Sequence, residues 1–227
     1  MTVASTLAAL RLGDSFLPTG GDSLSYGLEQ LVADDRVADA ADLRRLLAVR
    51  LRHQVGPGDA VAVGAAHAAA ADLEQVARID RRIAALTIAP EFREGSERAG
   101  RRLLDVADGT ADDPRPGEYA GMVDAGEAPG THAAVFGLVA AVEGLPREGA
   151  TAAFVHAFVT GQLAAAQRLL RIGHTDVQDV LADLRPAMAA AVEEGTDRTA
   201  EEMAAFTPLL DVASARHEHA DRRLFAN

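Results

Sequence analysis

Apolar residues in this chain recur every three or four positions, and no stretch of five or more residues keeps the strict alternation of a half-buried strand. That pattern confines the fold to helix packed on helix, and the expectation is an all-α, single helical domain of about nine or ten helices. Between Asp39 and Gln54, Leu43, Leu46, Leu47, Arg50 and Leu51 show apolar positions at i, i+3, i+4 and i+8 with Arg residues interleaved, which draws one buried stripe beside a solvated face. From Asp59 to Leu86 the chain is Ala-rich, with Leu73, Val76, Ile79, Ile83 and Leu86 at helical spacing, as in a tightly packed helical hairpin. Pro90 interrupts the pattern and Glu91 to Val106 resumes it. Residues 108–130 collect Gly, Pro and Asp and read as an irregular surface loop. Helices are then expected over Thr131–Glu143, Glu148–Ile172, Thr175–Glu194, Thr199–Phe206 and Pro208 to about His219. Their punctuation is chemical: Gly173 as a left-handed C′ residue, capping boxes at Thr175/Gln178 and Thr199/Glu202, and Thr207 capping Pro208 at N1.

Charge and composition remove several function classes. The 34 acidic residues outnumber 22 basic ones, for a net charge of -12, and every basic residue is Arg. A nucleic-acid binder working by bulk charge needs the opposite balance. No Cys is present, so disulfide frameworks, thiolate nucleophiles and cysteine metal centres are excluded. No basic n-region precedes an apolar stretch and no run reaches 18 apolar residues, so a cytoplasmic protein without a membrane role is expected. An acidic, Lys-free surface suits a halophile, in which case stability would rise with salt; a G+C-rich genome would leave the same composition.

Catalytic signatures are sparse. No Gly-x-Ser-x-Gly elbow, Walker A loop or dinucleotide fingerprint occurs, and no His pair has the spacing that sets two ligands on one helix face. The densest cluster is His217-Glu218-His219, a candidate nickel or zinc site only if the segment is not helical, because residues two apart on a helix point about 200° from one another. Two alternatives are therefore a stand-alone nickel-binding chaperone using His217 and His219, with His174 as a further candidate ligand, and a small helical enzyme using Glu29, Asp211 and Glu218 as acid or base. Two segments carry more signal. In DSFLPTGGDSLSYGLEQ, Asp14 to Gln30, Pro18 and Gly20-Gly21 break the chain, and Asp22 or Ser23 can cap the helix that follows. In TPLLDVASARHEHADRRLFAN, a capped helix runs into an Arg-rich end carrying Leu224 and Phe225.

These segments resemble the urease accessory protein F (UreF) family. Asp14-Ser15-x-Leu17-Pro18-x-Gly20 followed by Ser23-x-Ser25-Tyr26-Gly27-Leu28-Glu29 is similar to its opening signature. RAGRRLL (98–104), GTHAAVFG (130–137), GQLAAAQRLLRIGHTDVQ (161–178) and TPLLDVASARHEHADRRLF (207–225) resemble later family blocks, in order along nearly the whole chain. Asp22, Leu24 and His174 depart from the residues usual there. The resemblance implies a non-enzymatic maturation factor: a homodimer that binds the UreD-type (UreH) accessory protein, recruits the UreG GTPase and helps deliver nickel to apo-urease, with no tightly bound cofactor of its own. Carried over residue by residue, it implies partner-binding roles for Asp14, Ser15, Pro18, Gly20, Ser25, Tyr26, Glu29, Asp211, Ser214, Arg216, His217, Glu218, Arg222, Arg223, Leu224 and Phe225, and a contact to the GTPase for Arg168. The tail 220–227 is expected to order only on binding a partner.

Overall fold

A computed structural model describes residues 2–20, 24–109, 113–219 and 224–225. Twelve α-helical segments run in order: α1 (Val3–Leu12), α2 (Leu28–Ala33), α3 (Ala40–Arg50), α4 (Val61–Ala68), α5 (Leu73–Leu86), α6 (Pro90–Asp108), α7 (Arg115–Asp124), α8 (His132–Val142), α9 (Arg147–Leu169), α10 (His174–Asp183), α11 (Arg185–Asp197) and α12 (Pro208–His217). A π-helical stretch, Leu51–Ala60, joins α3 to α4 in one rod, so eleven continuous helices are described, with no strand among the described residues. The all-α expectation holds, and the count lies just above nine or ten.

The core is built around α8. Every residue from Ala133 to Ala140 is buried, because its small side chains let α4, α5, α6 and α9 close around it. Gly137 marks the tightest crossing: a Cβ there would overlap the Val63 carbonyl of α4. Larger side chains fill the rest, with Phe136, Leu138, Leu103 and Leu104 almost wholly buried, each contributing roughly 1.5–3 kcal/mol.

The π-helical stretch arises where the sequence is poorest in α-formers, Gly56-Pro57-Gly58. Its wide turns leave carbonyls unclaimed. Ala204 N–H donates to the Pro57 carbonyl at 2.9 Å, and Phe206 N–H to that of His53 at 2.9 Å. This explains a correction: the expected helix 199–206 is one 3₁₀ turn, Ala200–Glu202, followed by extended chain whose amides serve the rod. The Thr199/Glu202 capping box is present nonetheless, with Glu202 Oε2 accepting from Thr199 N–H at 2.9 Å.

Other boundaries move for local reasons. The expected loop 108–130 contains α7, begun by Pro116 near its N-terminus and held by the fully buried Tyr119. The single helix expected over 175–194 is broken at Leu184, since Pro186 has no N–H to continue the ladder and instead starts α11. Gly173 is extended (φ -82°, ψ 168°), not left-handed, and caps α10 from the front; its N–H donates to Asp176 Oδ2 at 2.7 Å, so the capping pair lies two residues earlier than Thr175/Gln178. Thr207 stands at the N-cap of α12 with Pro208 at N1 but makes no side-chain capping bond. Asp22 and Ser23, the expected cap of α2, lie outside the described residues; Gly27, at φ +82°, occupies that N-cap, where a Cβ would press on Phe92 at 3.3 Å.

Candidate functional site

The first and last signature segments, far apart in sequence, meet through Glu29. Its carboxylate, on α2, accepts the Leu224 N–H at 2.7 Å and the Phe225 N–H at 3.0 Å, and lies 3.1 Å from His217 Nε2. The other ring nitrogen of His217 faces Glu91 Oε2 at 3.2 Å, so the buried imidazole bridges α2 and α6 from its position on α12. Phe225 is 4% exposed, with the Arg168 guanidinium 4.4 Å from its ring centre. Arg216 pairs with Asp34 at the end of α2, tying α12 to α2 a second time.

Of the tail 220–227, only Leu224 and Phe225 are among the described residues. Both lie against the body of the chain, where one carboxylate receives both amides and the Phe225 ring is buried beside Arg168. Arg222 and Arg223 lie outside the described residues. His217 and His219 do not converge: His217 is engaged on both nitrogens by carboxylates, while exposed His219 turns back to the Ala215 carbonyl at 3.0 Å. Glu218 is exposed at the helix end, Ser214 is buried with its hydroxyl unpartnered, and Asp211 is half-buried, its carboxyl pushed up from the ordinary range by desolvation.

The opening turn lies alongside. Asp14 caps its own turn by accepting the Phe16 N–H at 2.9 Å, and Ser15 and Pro18 are exposed. Gly20, at φ +76°, lies so close to the Arg102 guanidinium of α6 that a Cβ would overlap it. Ser25 is fully buried; Tyr26 packs on Phe92 and Phe158, and burial pushes its phenol up to about 12.

Beneath the turn is a cleft of about 270 Å³ between the π-helical stretch, α9 and the start of α12, reached by Asp14, Tyr26, Arg50, Asp59, Arg168 and Asp211. Arg50, read from sequence beside the solvated Arg residues, is wholly buried. It donates to Gln162 Oε1 at 2.7 Å and, over longer distances, to Gln54 Oε1 (3.2 Å) and the Tyr26 carbonyl (3.4 Å).

A second buried hub has a structural role. Asp80 accepts from Tyr119 Oη (2.7 Å), Gly130 N–H (2.7 Å), Thr131 N–H (3.0 Å) and Thr131 Oγ1 (2.5 Å), although burial pushes its carboxyl up. It fixes the turn entering α8, and a Cβ at Gly100 would overlap the Gly130 carbonyl. The RAGRRLL and GTHAAVFG segments thus meet as a packing seam. Sequence reasoning missed Asp80, Arg50, Gln162 and Glu91. Asp80 and Arg50 both stand at helical spacing on apolar stripes, Asp80 between Ile79 and Ile83 and Arg50 after Leu47, a usable signal of buried charge; Glu91 and Gln162 carry none.

A family model described as UreF matches residues 37–185. The urease accessory protein UreF of Trichodesmium erythraeum (strain IMS101) is 34% identical over 99% of this chain and 98% of its own length. UreF 2 of Brucella canis is 32% identical over 97% of this chain and 91% of its own, and UreF of Bacillus sp. (strain TB-90) 29% identical over 96% and 97%. With matches that run from end to end and a helical body in which the first and last signature segments close on one another, the chain belongs to the urease accessory protein UreF family.

Proposed function

We propose that this chain acts without catalysing a reaction of its own in urease maturation, binding the UreD/UreH-type accessory protein, recruiting the UreG GTPase and assisting nickel delivery to apo-urease, as a homodimer in the cytoplasm. Nickel in this reading is cargo handled by the complex. The observation that carries it is exposed apolar surface on the C-terminal segment: Phe206, Leu209 and Val212 follow one another at three-residue spacing into α12, exposed by 76, 46 and 57%, and Leu224, exposed by 54%, adjoins buried Phe225, which packs on exposed Arg168. Apolar surface beside a cation and an aromatic anchor is the composition of a protein interface. A nickel carrier acting alone through His217 would have to break its contacts with Glu29 and Glu91.

Co-purification tests the proposal. The tagged chain should retain the UreD-type partner and, through that complex, the GTPase, and light scattering should give the mass of a dimer. Arg168→Glu should cut GTPase recovery at least tenfold, a cost on the order of 2–5 kcal/mol for a reversed charge at a desolvated contact, while keeping the UreD-type partner. Undiminished GTPase recovery would remove Arg168 from the interface, and failure to retain either partner would contradict the scaffold role.

A further inference from the structure

Arg50 is a buried cation whose hydrogen-bonded partners are all neutral. Nε and Nη1 reach two Gln side-chain oxygens and one main-chain carbonyl, and Nη2 is buried with no partner. The guanidinium lies 4.7 Å from the Phe158 ring centre and 5.5 Å from that of Tyr26, contacts that hold a cation without neutralising it. Removing such a charge from water costs several kcal/mol unless a counter-charge accompanies it. Asp59, the acidic group whose charge acts on Arg50, makes no hydrogen bond to it, and burial pushes its carboxyl up to about 6. Both residues line the cleft of about 270 Å³, which has room for a small ion and its waters.

We propose that this cleft binds a small planar oxyanion of the carboxylate type, held by Nη2 of Arg50, the guanidinium nitrogen left without a partner. A planar anion meets a guanidinium edge to edge, where a spherical ion gains only point attraction. Gln162 fixes the guanidinium from its far side through the 2.7 Å bond, so Arg50 is positioned before the ligand arrives. Asp59 sets the strength: when ionised it competes with the ligand for the same cation, and when neutral it leaves the site to the anion. The cleft shares Asp14, Ser15, Tyr26, Arg168 and Asp211 with the residues to which the family resemblance gives partner-binding roles, whereas Arg50, Asp59 and Gln162 lie outside that set.

Formate is the probe, with chloride at equal ionic strength as control. Saturation-transfer NMR on the full chain and thermal melts should show saturable formate binding that raises the midpoint more than chloride does. Arg50→Met, an apolar side chain of similar length, should weaken binding at least tenfold, since the charge-assisted hydrogen bonds are lost. Asp59→Asn should strengthen it severalfold at pH 7.5, because the competing charge is gone. Equal binding to wild type and Arg50→Met would overturn the proposal, as would absence of saturable binding to wild type. Should Arg50→Met fail to fold, the comparison of Asp59→Asn with wild type decides, and no gain there counts against the site.

Discussion

Replacing Asp80 with Ala should be the most damaging single change to the turn before α8. The substitution strands two main-chain donors, Gly130 N–H and Thr131 N–H, and two hydroxyls, those of Tyr119 and Thr131, in a region where Tyr119 and Thr131 are 0 and 3% exposed. The hydroxyls can rotate towards other acceptors; the amides cannot. With about 1–3 kcal/mol for each stranded donor, the loss should be on the order of 4 kcal/mol, or about 10 °C in melting temperature for a chain of this size. Asp80→Asn separates shape from charge. Each carboxylate oxygen receives one amide and one hydroxyl, so an Asn nitrogen at either position opposes a single amide, and the cost should be about half as large. Urea unfolding followed by circular dichroism gives both values, and hydrogen exchange at Gly130 and Thr131 localises them. If Asp80→Ala falls within about 1 kcal/mol of wild type, or if Asp80→Asn costs as much as Ala, the hub reading is wrong.

Phe225→Ala should release the tail: the Leu224 and Phe225 amides should lose exchange protection and the chain should lose about 3 kcal/mol, whereas unchanged protection would mean that the ring does not hold the tail. Asp59 supplies a pH dependence. Its folded value of about 6 lies above the ordinary 3.8, so the favourable contribution of its neutral form is complete below about pH 3.8 and fades as pH rises through about 6. Two units amount to about 3 kcal/mol at most, cut to roughly 1–2 because the residue is not sealed from solvent. Asp59→Asn should therefore be more stable than wild type at pH 7.5 and nearly equal to it at pH 4, as read from urea midpoints; a constant difference across that range would contradict the assignment.

Helix type and approximate extent were legible because the fold rests on three-and-four spacing, which Leu43, Leu47 and Leu51 or Val76, Ile79 and Ile83 display directly. Helix ends were less so. Pro186 breaks 175–194 in two, and the Ala204 and Phe206 amides donate to carbonyls of a π-helical rod more than 140 residues earlier, a tertiary choice that local sequence does not encode. The candidate site divides in the same way. Glu29, His217 and Phe225 could be named from motif resemblance, but their meeting at one carboxylate depends on the packing of α2 against α12. Glu91 enters only because α6 passes behind His217. Arg50 and Asp80 were within reach, since a charged residue in phase with an apolar stripe must find a buried partner.

Family membership and the proposed role meet in one measurement: the nickel content of urease purified from the chain's own host with and without its gene. The account predicts that, in the deletion, urease subunits are made at normal level but are nickel-poor and inactive. Restoring the wild-type chain should return both nickel and activity, whereas a chain carrying Arg168→Glu should restore far less. Fully loaded, active urease in the deletion would contradict it.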